Sequence, residues 1–376
     1  MIKEKRLVEN FIRLIKIDSI SREEKQLAEF LSKKIEDLGF DYEFDQAGEK
    51  VSSNSGNLII RIKGNIPNRI PILFSAHMDT VTPGKNINPI IDGEKIKSDG
   101  KTILGADNKA AIAAILEALQ ILKENNLSYG DMEIVFSICE EIGLKGARYL
   151  DLNQIRAKMA FVLDAGGSVG KIIHSAPSQD TFEINIYGKS AHAGAQPEEG
   201  INAIQVAGVA LSRMRLGRID EETTSNIGVI SGGEATNIVP DKVILKGEVR
   251  SRNQEKLINL TTEIKKIIED TTRGFKTRAA IKINEEYCLY NLSPQEKVVK
   301  LALQAAKRLG VEPLLTSTGG GSDANIFNQK GLPSVVLSIG VEKAHSLEEY
   351  ILIQDLKKTT EYILALIEEA KLGEKD

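Results

Sequence analysis

The chemistry in this chain begins where Ile70 to Thr80, IPILFSAHMDT, runs uncharged into a histidine, one spacer and an aspartate. Residues two apart on an extended segment point the same way, so His77 and Asp79 are expected to project together from a strand end. An imidazole beside a carboxylate is how proteins orient a metal-bound histidine and raise its basicity. Alone, His-x-Asp is more often an ordinary turn, so the weight falls on what accompanies it. Asp131 to Cys139, DMEIVFSIC, reads as a second buried strand and runs straight into Glu140-Glu141. Phe161-Val162-Leu163 is a third and ends in Asp164, while Asp107 opens a strongly helical run from Lys109 to Lys123. So many carboxylates at one sheet edge repel one another unless a cation neutralises them, and a metal site is the economical explanation. His345, beyond the apolar strand Val335 to Ile339, adds a second imidazole. Two histidines with several carboxylates suit zinc, cobalt or manganese better than magnesium or calcium, which prefer all-oxygen shells.

Other chemistries fit poorly. Gly319-Gly320-Gly321 does not match G-x-G-x-x-G, and Gly188-Lys189-Ser190 lacks the first glycine of a P-loop, because Glu183 stands there. Backbone N–H groups ahead of a helix can still hold a carboxylate. Ser322 has no local His and acid partner for a nucleophile's role. Cys139 lies in a buried strand and reads as core. His174 reads as a satisfied hinge residue.

The elements that must position these residues follow from periodicity and breakers. Asn10 to Leu38 reads as two helices broken near Asp18-Ser19, with Ser21 as a cap and Glu24 three residues on, as in a capping box. Tyr42 to Phe44 and Asn57 to Lys63 read as strands. In open α/β sheets ligands bind at the carboxyl ends of the strands, where His77, Glu140 and Asp164 fall. Beyond His174 the character changes. Strands at Thr181–Tyr187, Ser225–Ile230, Lys242–Val249 and Thr277–Ile283, with helices at Gly200–Met214 and Gln254–Glu269, give the order βαββαβ of a ferredoxin-like unit. The α/β character returns with a helix from Ser293-Pro294 to Leu309 and closes with one at about Gln354–Lys371. A split catalytic domain (1–174 and 288–376) around an inserted domain (175–287) is the expected layout.

Bulk properties agree. At 376 residues, 41% hydrophobic and 27% charged, the chain is long enough for two domains and has a globular composition. A net charge of −4 with both signs scattered gives no nucleic-acid footprint. The start, MIKEKRLVENFIRLIKI, lacks the apolar segment of a signal peptide, and no run approaches a membrane span. With two cysteines, Cys139 and Cys288, no disulfide framework is implied, and a reducing cytoplasm is the expected home.

Taken together, His77-Met78-Asp79, Gly105-Ala106-Asp107-Asn108, Glu140-Glu141-Ile142-Gly143, Asp164, Gly188 to Ala193, Gly232 to Asp241 and His345 give the chain a resemblance to the di-zinc metallopeptidases of the aminoacylase and carboxypeptidase G superfamily. The peptidase T-like branch is the most similar. The resemblance implies a three-layer α/β catalytic domain with a mixed sheet and an inserted α+β, ferredoxin-like lid and dimerisation domain. It also implies two divalent ions bridged by Asp107. His77 and Asp164 would complete one ion's shell, and Glu141 and His345 the other's. Asp79 would partner a ligand histidine, and Glu140 would be the general base acting on water between the ions. The Asp107-Asn108 peptide would be cis. His192, Asn237 and Arg250 resemble lid residues that grip the substrate, with Gly320, Gly321 and Ser322 at its terminal carboxylate.

The implied activity is an aminopeptidase that removes the N-terminal residue of short peptides, tripeptides above all, working as a homodimer. The rival within the same chemistry is a deacylase of N-acyl amino acids or a carboxypeptidase. A dimeric binding protein without catalysis is the rival of another class, and retention of every ligand and of Glu140 counts against it.

Overall fold

The structure, a computed structural model, describes residues 2–372 and divides into two compact units. One comprises the chain through His174, Leu292–Ser317 and the chain from Ser322; the other comprises Ser175–Asn291 and Thr318–Gly321. No helix among the described residues is long and apolar enough to cross a membrane.

The first unit is built on a mixed sheet. Its strand order is Asp41–Phe44, Leu58–Ile62, Met132–Ser137, Ile72–His77, Ala160–Ala165, Ser334–Ser338 and Lys171–Ala176, with Leu314–Ser317 paired to the last. Met132–Ser137, Ile72–His77, Ala160–Ala165 and Ser334–Ser338 run parallel to one another, and Leu58–Ile62 is antiparallel to its neighbour. Every residue of Ile72–His77 and Met132–Ser137 is buried, as expected of strands covered on both faces. On one face Phe74, Ile134, Phe161 and Leu337 join a single core with helices Glu4–Ile15, Lys25–Asp37, Ala106–Glu124, Lys297–Arg308 and Ile353–Leu372. Helix Asp323–Gln329 packs against Ala160–Ala165 and Ser334–Ser338. Ala-rich Ala106–Glu124 is buried almost all round, so it can lie flat against the central strands and against Ile353–Leu372.

Three details differ from the sequence reading. The first helices are Glu4–Ile15 and Lys25–Asp37, and Ser21 is not a cap: Glu24 occupies the N-cap, and both side chains are used elsewhere. The helix expected from Ser293-Pro294 begins at Lys297. A separate four-stranded antiparallel sheet, in the order Val341–Glu342, Tyr350–Leu352, Lys95–Ser98 and Pro89–Asp92, joins segments far apart in the chain and frames the turn bearing His345.

The second unit is a five-stranded antiparallel sheet in the order Gly217–Arg218, Thr223–Gly232, Lys242–Ser251, Ser178–Tyr187 and Ala279–Tyr287. Its four long strands, numbered along the chain, lie in the order 2-3-1-4, the ferredoxin-like arrangement expected from βαββαβ. Phe182, Ile184, Val243 and Leu245 pack against Ala203–Arg213 and Gln254–Gly274, whose N-caps are the side chains of Asn202 and Asn253.

The buried rings of Phe74 and Phe161, 5.8 Å apart on adjacent strands, set the spacing beneath the strand ends. Phe161→Ala is expected to cost about 3–5 kcal/mol through lost burial and the cavity left behind. Denaturant unfolding followed by tryptophan-free probes such as far-UV circular dichroism measures it, and a cost under 1 kcal/mol would show that the rings bear no such load.

Candidate active site

Five chain segments bring their acids and imidazoles to one place in the first unit. His77 is the last residue of its strand, and Glu140-Glu141 follow Met132–Ser137 by two residues. Asp164 is the penultimate residue of the next parallel strand, and Asp107 stands at the start of Ala106–Glu124. The Asp107-Asn108 peptide is cis. His345 reaches in from the turn after Val341–Glu342 with a left-handed φ of 62°.

Asp107 is shared between two sets of donors. Its Oδ1 lies 3.1 Å from His77 Nε2, which is 3.2 Å from Asp164 Oδ1. Its Oδ2 lies 3.3 Å from His345 Nε2, which is 2.9 Å from Glu141 Oε1. Tetrahedral zinc with ligands at 2.0–2.1 Å separates its donors by about 3.3 Å, so both triads stand at ligand spacing. One carboxylate turning an oxygen to each triad is the arrangement a bridging ligand requires. The donor set, two imidazole nitrogens and three carboxylates, fits a pair of borderline divalent ions.

Electrostatics points the same way. Burial, reinforced by Asp164, pushes the Glu140 carboxyl well above the usual carboxylate range. Burial likewise raises Asp164 to about 7 and raises Glu141. Burial opposes the Asp107 charge, yet His345 and His77 hold it below its usual range. Hydrogen bonds to Asp107 and Glu141 raise His345 to about 10. Without added positive charge, these acids hold together only by sharing protons with the imidazoles.

Several buried groups around the site hold its backbone as well as its side chains. His77 Nδ1 lies 2.8 Å from the Asp79 carbonyl oxygen, against 3.6 Å from the Asp79 carboxylate. The fully buried carboxylate instead accepts the N–H groups of Glu140 at 2.9 Å and Glu141 at 3.2 Å, and the Ser21 hydroxyl at 2.6 Å. Asp79 therefore orients the histidine through its main chain and the two glutamates through its side chain. Glu24 accepts the Cys139 N–H at 3.0 Å and its thiol at 3.3 Å, so Cys139 is buried structure. Asn108 donates to Asp164 Oδ1 at 3.2 Å.

The expected substrate-gripping residues are dispersed. In the second unit His192 and Asn237 meet through the backbone, Ala193 N–H donating to the Asn237 carbonyl at 3.0 Å, and both side chains are exposed. His192 Nδ1 accepts from Gly194 and Ala195 N–H at 3.1 and 3.0 Å, which places its proton on Nε2 and makes that nitrogen a donor. Arg250 is already held by Glu248 through two bonds of 2.9 and 3.1 Å. A Cβ on Gly321 would lie 2.2 Å from the Tyr287 ring, so packing alone demands glycine there, whereas one on Gly320 would meet only the Thr318 hydroxyl, at 3.8 Å. Ser322, in the first unit, is buried with its hydroxyl capping helix Asp323–Gln329.

Residues 73–369 match the peptidase family M20/M25/M40. The chain belongs to this family. It is 42% identical to the uncharacterized protein YqjE of Bacillus subtilis, over 98% of this chain and all of that one. Among solved structures, aminopeptidase PepT from Bacillus cereus is 40% identical with a TM-score of 0.90, covering 98% of this chain and 99% of its own. A Staphylococcus aureus tripeptidase is 38% identical with a TM-score of 0.94, covering 99% and 100%. In this M20-family chain, the residues that sequence reasoning missed are Ser21, Glu24, Asn108 and Glu349. Ser21 and Glu24 were legible only as a helix start, and Glu349 is one acid among many. Nothing local marks a carboxylate whose partner is a distant amide.

The protonation pattern predicts how the metal-free protein responds to pH. Asp164 falls from about 7 in the fold to 3.8 unfolded, so its stabilisation is full below pH 4 and lost as pH rises to 7. Glu140 and Glu141 act in the same direction. His345 contributes fully below pH 6.5 and loses its contribution toward pH 10. Asp107 acts oppositely, but only below pH 4. Chelator-treated protein is therefore expected to melt lower at pH 8 than at pH 5. Zinc at 100–1,000 times its Kd should add about 3–4 kcal/mol at pH 8. Thermal melts across this range check it, and a flat profile in the stripped protein would contradict the charge assignment.

Proposed function

We propose that the protein is a two-metal aminopeptidase that removes the N-terminal residue from short peptides, tripeptides above all. The observation that carries this reading is Asp107 turning one oxygen to each of two donor triads, with the buried Glu140 beside them. The PepT aminopeptidase and the tripeptidase among its relatives support the substrate class. Two divalent ions, zinc or else cobalt or manganese, would be held by His77, Asp107 and Asp164 and by Asp107, Glu141 and His345. When bound, they supply the positive charge that polarises the scissile carbonyl and acidifies water.

The chain's own residues do the rest. Glu140, fixed by the Asp79 carboxylate at its N–H, takes a proton from the attacking water as the new C–O bond forms. It returns that proton to the amine nitrogen as the C–N bond breaks, leaving a free amino acid and a dipeptide. His192, with its proton on Nε2, is suited to donate to the oxyanion. Asn237, Arg250, Gly320, Gly321 and Ser322 would grip the remainder of the peptide. A reducing cytoplasm suits two cysteines that form no disulfide.

A homodimer through the second unit is part of this reading. Strand Thr223–Gly232 pairs on its outer side only near its start, with Gly217–Arg218, leaving the edge beyond Ser225 without a strand partner among the described residues. Val229 and Ile230 on that stretch are 47% and 56% exposed. Natural sheets rarely leave such an edge bare.

Three experiments test these points. Mass spectrometry of an unblocked tripeptide treated with metal-reconstituted protein should show release of the N-terminal residue, lost on N-acetylation. Glu140→Gln should lower kcat by about 10²–10⁴-fold with metal content unchanged. Release from the C-terminus, or turnover of N-acyl amino acids instead, would move the assignment to a carboxypeptidase or deacylase. Analytical ultracentrifugation should find a dimer that Ile230→Lys converts to monomer, and a monomeric wild type would remove the dimer from the reading.

A further inference from the structure

Glu349 lies four residues beyond His345 and is fully buried. Its carboxylate receives three backbone N–H groups from a segment more than 240 residues away. Oε2 accepts Leu104 and Gly105 at 2.8 Å each, and Oε1 accepts the N–H of Asp107 itself at 2.9 Å. Three amides converging on one carboxylate tie the Leu104 to Asp107 backbone to the Glu349 side chain. Glu349 is itself held. Its N–H donates to the Ser346 carbonyl at 3.1 Å, and the next residues, Tyr350–Leu352, pair with Lys95–Ser98. The Ser346 to Glu349 turn directly follows His345.

We propose that Glu349 is a positioning residue that sets Asp107 between the two ion positions and locks it to the segment carrying His345. Asp107 must present both oxygens at once, within 3.1 Å of one imidazole and 3.3 Å of the other, so a small backbone shift costs one triad its shared ligand. The roles divide: His345 and Asp107 would hold the ions, and Glu349 fixes the distance between their main chains. The inference rests on the two-ion reading above.

Glu349→Gln tests it with almost no change in shape. The amide oxygen can keep two of the three N–H groups, but the amide nitrogen then meets the third donor to donor. Chelator-stripped protein titrated with zinc against a colorimetric competitor should show affinity reduced about 10–100-fold, the usual effect of losing a residue that orients a metal ligand. Activity at limiting zinc should fall and recover with excess zinc. Glu348→Gln, at the exposed neighbour that pairs with Lys343, should leave zinc affinity unchanged. Wild-type affinity in Glu349→Gln would overturn the proposal, as would a lower melting point of the stripped variant with zinc affinity intact. Should the Gln variant fail to fold, Glu349→Asp, which retracts the carboxylate by one methylene, carries the same titration. A wild type that binds no zinc would refute the two-ion reading instead.

Discussion

Five acidic groups and two imidazoles, most of them buried and His345 at the exposed rim, crowd together at the strand ends, and the rest of the catalytic unit is organised around holding them there. Like charges at these separations raise one another's pKa values and push the chain apart unless something opposes them. Opposition comes partly from the imidazoles and, in the proposed function, from two cations. The remainder must come from scaffold rigidity. Parallel strands buried on both faces provide it, because their ends cannot shift without disturbing a core that runs through Phe74, Ile134, Phe161 and Leu337.

A second level of restraint acts on the loops beyond those strand ends. Asp79, Glu24 and Glu349 are all buried carboxylates, and each accepts at least one main-chain amide of a site-bearing loop. An amide held by a carboxylate leaves the neighbouring side chain free to face the site. Glu140 and Glu141 can thus point inward while Asp79 holds their backbone, and Asp107 can point inward while Glu349 holds its own. This also explains why Asp79 contacts His77 through its carbonyl: its carboxylate is already engaged with two amides and Ser21.

The second unit follows a different logic. Its ferredoxin-like sheet needs only one covered face, which its two helices supply, and its charged strand residues pair locally, as Arg250 does with Glu248. The fixed tautomer of His192 arises the same way, from two amides of its own turn. Local interactions of this kind place a donor without long-range support.

Much of this was legible in the chain itself. Uncharged runs ending in His77, Glu140 and Asp164 announced buried strands that deliver chemistry at one edge, because strand burial and side-chain alternation are local properties. The βαββαβ order of the inserted unit was equally plain, since each element carries its own periodicity. What the sequence did not disclose were partners distant along the chain. Ser21 looked like a cap and nothing singled out Glu349, while the small sheet joining Lys95–Ser98 to Tyr350–Leu352 had no local signal at all. A hydrogen bond to a backbone amide leaves no mark on the donor's residue type, so only the tertiary structure could decide which buried acids hold the loops and which face the ions.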